Sequence, residues 1–270
     1  MYIGRTASRY MENSSPLGDE HDTPRERARL ASIVSLLPKE RVSALDVGAR
    51  DGFVTRELAS HFQCVTALDL EPPQINIPNV TSVRGDVTRL QFPDNSFDVV
   101  CCFEVLEHIV PPKLESACSE LARVTKHELM IGVPFCQDLR LGRTRCLRCG
   151  QINPPWGHRN RFDARRLMQL FPTLQLKSTV LVGRTKSRTN PLAVILDDIA
   201  GNPNGSFVPG TRCILCDNIL TPYTPKSLVG KISSKLAAIC NRLQNAASPP
   251  SPIWIHVVFS KTVKDTTQCS

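Results

Sequence analysis

The stretch ALDVGARDG, residues 44–52, decides the fold. Its first four residues are a buried β-strand in composition, and two glycines, Gly48 and Gly52, follow at once. The next segment, 51–62, reads as a helix with Phe53, Leu58 and Phe62 partly on one face. A glycine turn between strand and helix lets a ligand approach the backbone closely. It also aims the N–H groups at the helix start toward that ligand.

Strands and helices alternate outward from this turn. Upstream, Thr23-Pro24 is an N-cap followed by Pro at the first helical position. Leu30, Ile33, Val34 and Leu37 follow at helical spacing until Pro38. Downstream, 64–70, 80–84 and 128–133 read as strands and 113–124 as a helix. The stretch 97–103 is nearly all apolar, which suits the centre of a sheet covered on both faces. This pattern predicts an α/β, Rossmann-like, mostly parallel sheet. The second half adds a helix at 163–171, a strand at 174–182, a helix at 191–200 and an amphipathic helix at 226–243. The last strand, 253–260, alternates apolar and less apolar residues and is expected to run antiparallel. The expected organisation is a flexible start (1–23), one domain (24–262) with cover segments 136–160 and 188–250, and a flexible tail (263–270).

Composition sets broad limits. Apolar residues make up 41% of the 270, enough for a packed core. No run approaches the ~18 consecutive apolar residues of a membrane span. The polar residues 1–22 lack the apolar run of a signal peptide, so a cytoplasmic location is expected. The formal net charge of +8 is compatible with anionic partners, and equally with a solvated basic surface.

Three further motifs extend the turn. Asp69 ends the second strand, where a carboxylate accepts hydrogen bonds from ribose hydroxyls. Asp86 and Val87 follow the third strand, where a carboxylate can meet an adenine amino group. The strand at 97–103 delivers Phe103, Glu104, Glu107 and His108 to the carboxyl edge of the sheet, where ligands bind in open α/β folds. Taken singly, Asp46 or Asp86 reads equally as a turn or cap residue. A nicotinamide-binding domain calls for Gly-x-Gly-x-x-Gly, which residues 48–53 lack.

In this ordered set, LDVGARDG, ALDLE, GDV and FDVVCCFEVLEHI, the chain resembles the class I S-adenosylmethionine-dependent methyltransferases. The resemblance implies that Gly48 and Gly52 approach the methionine part of the cofactor. It places Asp69 with Leu70 at the ribose, Asp86 with Val87 at the adenine, and the backbone near Phe103 and Glu104 on the cofactor's other face. Asp46 and Arg50 complete the set. The family usually has glycine at the position of Arg50, which here either caps the pocket or contacts the cofactor carboxylate.

Eleven cysteines, an odd number, argue against a disulfide scaffold. Cys101, Cys102 and Cys118 lie in apolar stretches that read as core. Cys146/Cys149 and Cys213/Cys216 form two Cys-x-x-Cys pairs, the ligand set of a closed, structural zinc site. Sixty-three residues separate the pairs, a tolerable loop because closure cost grows slowly with length. Gly150 supplies the turn glycine of a zinc knuckle in the first pair; Asp217 makes the second a looser match. His158 is an alternative fourth ligand. The segment CLRCGQINPPWGHRNRFD is similar to one found in some bacterial class I methyltransferases, which supports reading 136–160 and 201–225 as one metal-pinned cover.

For a hydroxyl acceptor, His108 is the first choice of general base, with Glu107 and His158 next. Arg140, Arg143, Arg145, Arg148, Arg159, Arg161, Arg165 and Arg166 crowd the region after residue 134 and suit phosphate or carboxylate recognition. A small-molecule or glycan-type acceptor, methylated on oxygen, is the leading reading. RNA is the second, weakened by the 6% aromatic content and the lack of a stacking platform. A non-catalytic interaction module is the third.

Overall fold

The computed structural model describes residues 23–262. Of the segments expected to be flexible, 1–23 and 263–270, all but Thr23 lie outside the described residues, and Thr23 is the N-cap of the first helix. The chain divides into two compact units. The sheet unit comprises, among described residues, 23–135, Phe162–Gly183 and 252–262, and the cysteine unit comprises Cys136–Arg161 with Arg184–Ser251.

The sheet unit is built on a seven-stranded sheet. Its strands in chain order are β1 (Ser43–Val47), β2 (Cys64–Asp69), β3 (Val80–Arg84), β4 (Phe97–Phe103), β5 (Thr125–Pro134), β8 (Gln175–Val182) and β9 (Trp254–Ser260). Their spatial order is β3-β2-β1-β4-β5-β9-β8. The pairs from β3 through β5 are parallel, and β9 runs antiparallel to both its neighbours. The helices of this unit are α1 (Pro24–Leu36), α2 (Phe53–His61), α3 (Leu114–Val124) and α4 (Ala164–Leu170). Thr23 caps α1 by accepting from Glu26 N–H, and Asp163 caps α4 by accepting from Arg166 N–H.

Side chains alternate across the strands and fill two apolar layers. Leu45, Val47, Val100, Leu129, Ile131 and Val257 face a layer that includes Leu121 of α3 and Leu167 of α4. Ala44, Val99, Cys101, Met130 and Val258 face the other, with Ile33 of α1 and Leu58 of α2. Two polar clamps fix the ends. Asp98 Oδ2 accepts from the Val42 and Ser43 N–H groups and so ties the start of β1 to β4. Arg123 donates to Glu120, Asp94 and the carbonyls of Leu90 and Phe92, holding the segment after β3.

One expectation changes. The sequence of 253–260 reads as a strand of alternating apolar and less apolar residues. Instead β9 lies between β5 and β8, and Trp254 through Phe259 are all buried. The polar member, His256, is buried against the Ser32 hydroxyl, 2.9 Å from Nδ1.

The cysteine unit contains a two-residue hairpin, β6 (Thr144–Arg145) with β7 (Ile152–Asn153), and two helices, α5 (Pro191–Ile199) and α6 (Leu228–Ala247). The helices pack against each other. Asn190 caps α5 and Ser227 caps α6. The hairpin was not expected from the sequence, because two-residue strands carry no readable alternation.

Candidate cofactor and metal sites

The turn after β1 is made of left-handed residues. Gly48, Arg50 and Gly52 have φ of +80°, +48° and +81°. A side chain at position 48 would collide with Val105 Cγ2, so only glycine lets the backbone lie there. The Gly48 and Ala49 N–H groups donate to Leu68 O of β2, at 2.8 and 3.2 Å. Arg50 holds the conformation that explains why glycine is usual at this position. Its N–H donates to Asp69 Oδ2 at 2.9 Å, while Leu70 N–H donates to Oδ1 at 2.6 Å. Asp69 thus grips the turn from the carboxyl end of β2. A carboxylate has about four acceptor sites, so these two bonds leave capacity for a diol. Gly52 precedes α2, whose N-terminus carries no side-chain cap from that position.

Asp46 is buried beneath this turn, and Thr55 Oγ1 donates to it at 2.6 Å. Burial raises its carboxyl to about 6, against the Thr55 bond and with help from the Asp69 charge. Asp86 is exposed, and its Oδ1 accepts from both Thr88 N–H and Thr88 Oγ1. Val87 packs its side chain into the core, so only its backbone can face a ligand.

At the end of β4 the chain turns through Glu104, with φ of +57°, into a short 3-10 turn, Leu106–His108. Phe103 is buried with its ring edge-on to His256. Burial lifts the Glu104 carboxyl to about 7, moderated by Arg29 and a hydrogen bond from Trp254. Glu107 is fully buried, and neither carboxyl oxygen has a hydrogen-bond partner among the described residues. Burial, reinforced by the neighbouring Glu104 charge, pushes its carboxyl well up. His108 is half-buried, its N–H bonded to Val105 O.

Three residues of this end were missed in the sequence. Arg29 of α1 is 8% exposed, paired with Glu26 at 2.7 Å. Its guanidinium lies 6.0 Å from the Phe53 ring centroid and 5.8 Å from that of Trp254. Trp254 and His256 come from β9. The available signal was Arg29 itself: a cation one turn before Ile33, on the apolar face of a helix.

The four cysteines come together in the cysteine unit. All four Sγ atoms lie within 4.8 Å of one another. The Cys146–Cys216 and Cys149–Cys213 Sγ pairs are each 3.6 Å apart. Tetrahedral zinc with bonds of about 2.3 Å requires sulfurs about 3.8 Å apart. The two knuckles share one backbone pattern. Cys146 N–H bonds Gln151 O and Gly150 N–H bonds Cys146 O; Cys213 N–H bonds Asn218 O and Asp217 N–H bonds Cys213 O. Gly150 and Asp217 both have left-handed φ, +77° and +57°. Asp217 therefore does the work of the glycine that the sequence lacked. Asn153 Nδ2 donates to Cys213 Sγ at 3.7 Å, and its Oδ1 accepts from Ile214 N–H. Burial opposes ionisation of Cys213, but the Cys216 and Leu215 N–H groups and Asn153 bring its thiol down to about 6. His158 is outside this cluster. Its Nδ1 lies 2.6 Å from Gln137 Oε1, an acceptor, so Nδ1 carries the hydrogen.

Part of the arginine-rich region is held by partners within the protein. Arg140 is paired with Asp138 and Arg143 with Asp198, while Arg145 donates to Asp198 O. Arg166 lies over the Phe162 ring.

Residues 45–129 match the family model of the methyltransferase domain. The chain carries a class I methyltransferase domain. Over 109 residues it is 35% identical to demethylmenaquinone methyltransferase of Renibacterium salmoninarum, covering 38% of this chain and 44% of that protein. Over 128 residues it is 30% identical to ubiquinone biosynthesis O-methyltransferase of Xanthomonas campestris pv. campestris strain B100, covering 43% and 53%. The chain thus spans about half the length of these curated relatives. The N-methyltransferase NodS from Bradyrhizobium japonicum WM9 shares the fold of the methyltransferase domain, with a TM-score of 0.52 at 14% identity over 90% of this chain and 99% of that one. No helix among the described residues is long and apolar enough to cross a membrane.

Proposed function

We propose that this chain transfers the methyl group of S-adenosylmethionine to oxygen on a small-molecule or glycan-type acceptor. The observation that carries this reading is the Asp69 carboxylate gripping the left-handed turn at Gly48, Arg50 and Gly52. The residues fit the cofactor: Gly48 and Gly52 carry no side chain that would block approach to the backbone at either end of the turn, and Asp69 retains acceptor capacity for the ribose. Asp86 and the Val87 backbone would meet the adenine, and Phe103 and Glu104 the opposite face. Arg29, beside the first residue of α2, would hold the amino-acid carboxylate. The bound cofactor supplies an electrophilic methyl group. The protein's share is positioning, exclusion of water and proton removal from the acceptor.

His108 would take that proton, because it is half-buried at the carboxyl edge of the sheet whereas Glu107 is fully buried. His158, with hydrogen on Nδ1, keeps Nε2 as its basic nitrogen and is the second choice. The retained turn geometry at Arg50 favours catalysis over a non-catalytic module. The internal pairing of Arg140 and Arg143 weakens the RNA reading.

We further propose that Cys146, Cys149, Cys213 and Cys216 hold one structural zinc, with no position open to substrate. Both parts are testable. Purified chain should move label from a methyl-labelled donor into the small-molecule fraction of a cell extract. Label confined to RNA or protein, or no transfer, would contradict the acceptor assignment. Metal analysis should give one zinc per chain.

A further inference from the structure

α6 is amphipathic in an inverted sense. A surface helix ordinarily buries its large apolar residues and exposes its polar ones. Here the buried residues are Gly230, Ser233 and Ala237. Space on that side is tight: a Cβ at position 230 would meet Pro225 Cβ at 3.0 Å. The large residues Leu228, Val229, Ile232, Leu236, Ile239 and Leu243 face solvent, Leu228 being 72% and Leu243 67% exposed. At the α-helical pitch these six occupy one arc of about 100°. Leu192, Ile195 and Ile199 of the adjoining α5 are likewise exposed.

Charge identifies what covers this face. Lys231, Lys235 and Arg242 are exposed and fall on the arc beside the apolar one, with exposed Lys226 just before the helix. The 20 residues of α6 include no Asp or Glu. The two acidic residues of α5 are turned to other work: Asp198 is paired with Arg143 at 2.7 Å and Asp197 is bonded to Asn204. A second copy of α6 would bring the same basic residues and no carboxylate to meet them. A helix with an apolar face, a cationic flank and low net hydrophobicity matches an anionic lipid surface, with the helix lying in the plane of the interface. Long Lys and Arg stems reach from such a position to the headgroups.

We propose that the α5–α6 face docks the protein on an anionic membrane surface. It is a peripheral contact that needs no spanning helix, and it does not depend on the methyl-transfer reading. The test is flotation of the full chain with vesicles of phosphatidylcholine plus phosphatidylglycerol, and with vesicles of phosphatidylcholine alone. The wild type should float with the first and not the second, and added salt should release it. Ile232→Ser, Leu236→Ser and Ile239→Ser together should weaken binding at least about tenfold. Lys231→Glu, Lys235→Glu and Arg242→Glu together should do the same, at about fivefold per residue. All six residues are exposed, so the melting temperature of each variant should match the wild type and show that folding is intact. Failure to float with anionic vesicles, or equal floating with both kinds, overturns the proposal. So does a dimer in sedimentation equilibrium that the serine variant dissolves without any vesicle binding by the wild type. Binding that emerges only when residues 1–22 are removed assigns the face to that segment and overturns it too.

Discussion

The sheet unit hides its Leu, Ile, Val and Phe side chains between two helical layers, whereas the cysteine unit turns most of its own outward. The apolar cluster of the cysteine unit consists of Cys146, Cys213 and Leu220, with Phe207 and Cys216 at its edge. So small a core cannot offset the conformational entropy of ordering such a segment. The sheet unit stands on burial alone; the cysteine unit needs a staple. On our proposal that staple is zinc, and its apolar surplus is left for an interface.

The largest expected effect tests this contrast directly. Removing zinc with a chelator, or the Cys149→Ser substitution, should expose the cysteine unit to protease. Structural zinc supplies about 10 kcal/mol or more of folding free energy. Mass spectrometry should find the new cuts within 136–161 and 184–251, while 45–129 stays resistant. Cuts spread evenly through both units would break the comparison.

A smaller effect belongs to the sheet unit. Asp46 is raised to about 6, above its unfolded value of 3.8, so the fold disfavours its charged form. The resulting penalty is full above pH 6 and is relieved as pH falls from 6 toward 3.8. Asp46→Asn keeps an acceptor for Thr55 and should stabilise the protein by up to about 3 kcal/mol at pH 7.5. The gain should shrink below pH 6 and vanish near pH 4 in denaturant titrations. A gain that does not vary with pH would assign the effect to packing instead.

The smallest effect pairs the two units. Arg50 and Asp217 hold the same left-handed conformation, one in each. Arg50→Gly and Asp217→Gly should each stabilise by about 1 kcal/mol or less in denaturant titrations. Asp217→Gly also loses the Arg212 ion pair at 3.2 Å, so its gain should be the smaller. Loss of stability at either site would mean that the side chain, not the turn, matters there.

Much of the sheet unit was legible in the sequence because burial leaves a pattern. The all-apolar 97–103 is the central strand β4, and the glycine turn places α2. The cysteine spacing marked its cluster for a different reason: four identical ligands are chemically conspicuous. Other features depend on partners remote in sequence. Arg29, Trp254 and His256 reach the same end of the sheet from α1 and β9, and no local spacing links them. The full burial of β9 follows from its place between β5 and β8, which a pattern of alternation cannot reveal. α6 was readable as amphipathic, but not which of its faces is inside, because small residues rather than large ones make the contact.

Asp69 is the centre of the proposed cofactor site, and calorimetry with S-adenosylhomocysteine tests it most directly. The wild type should bind with one site per chain, and Asp69→Ala should weaken binding about 100-fold while its melting temperature shows the fold retained. No binding by the wild type, or equal binding by both proteins, would contradict the assignment of this turn as the cofactor site.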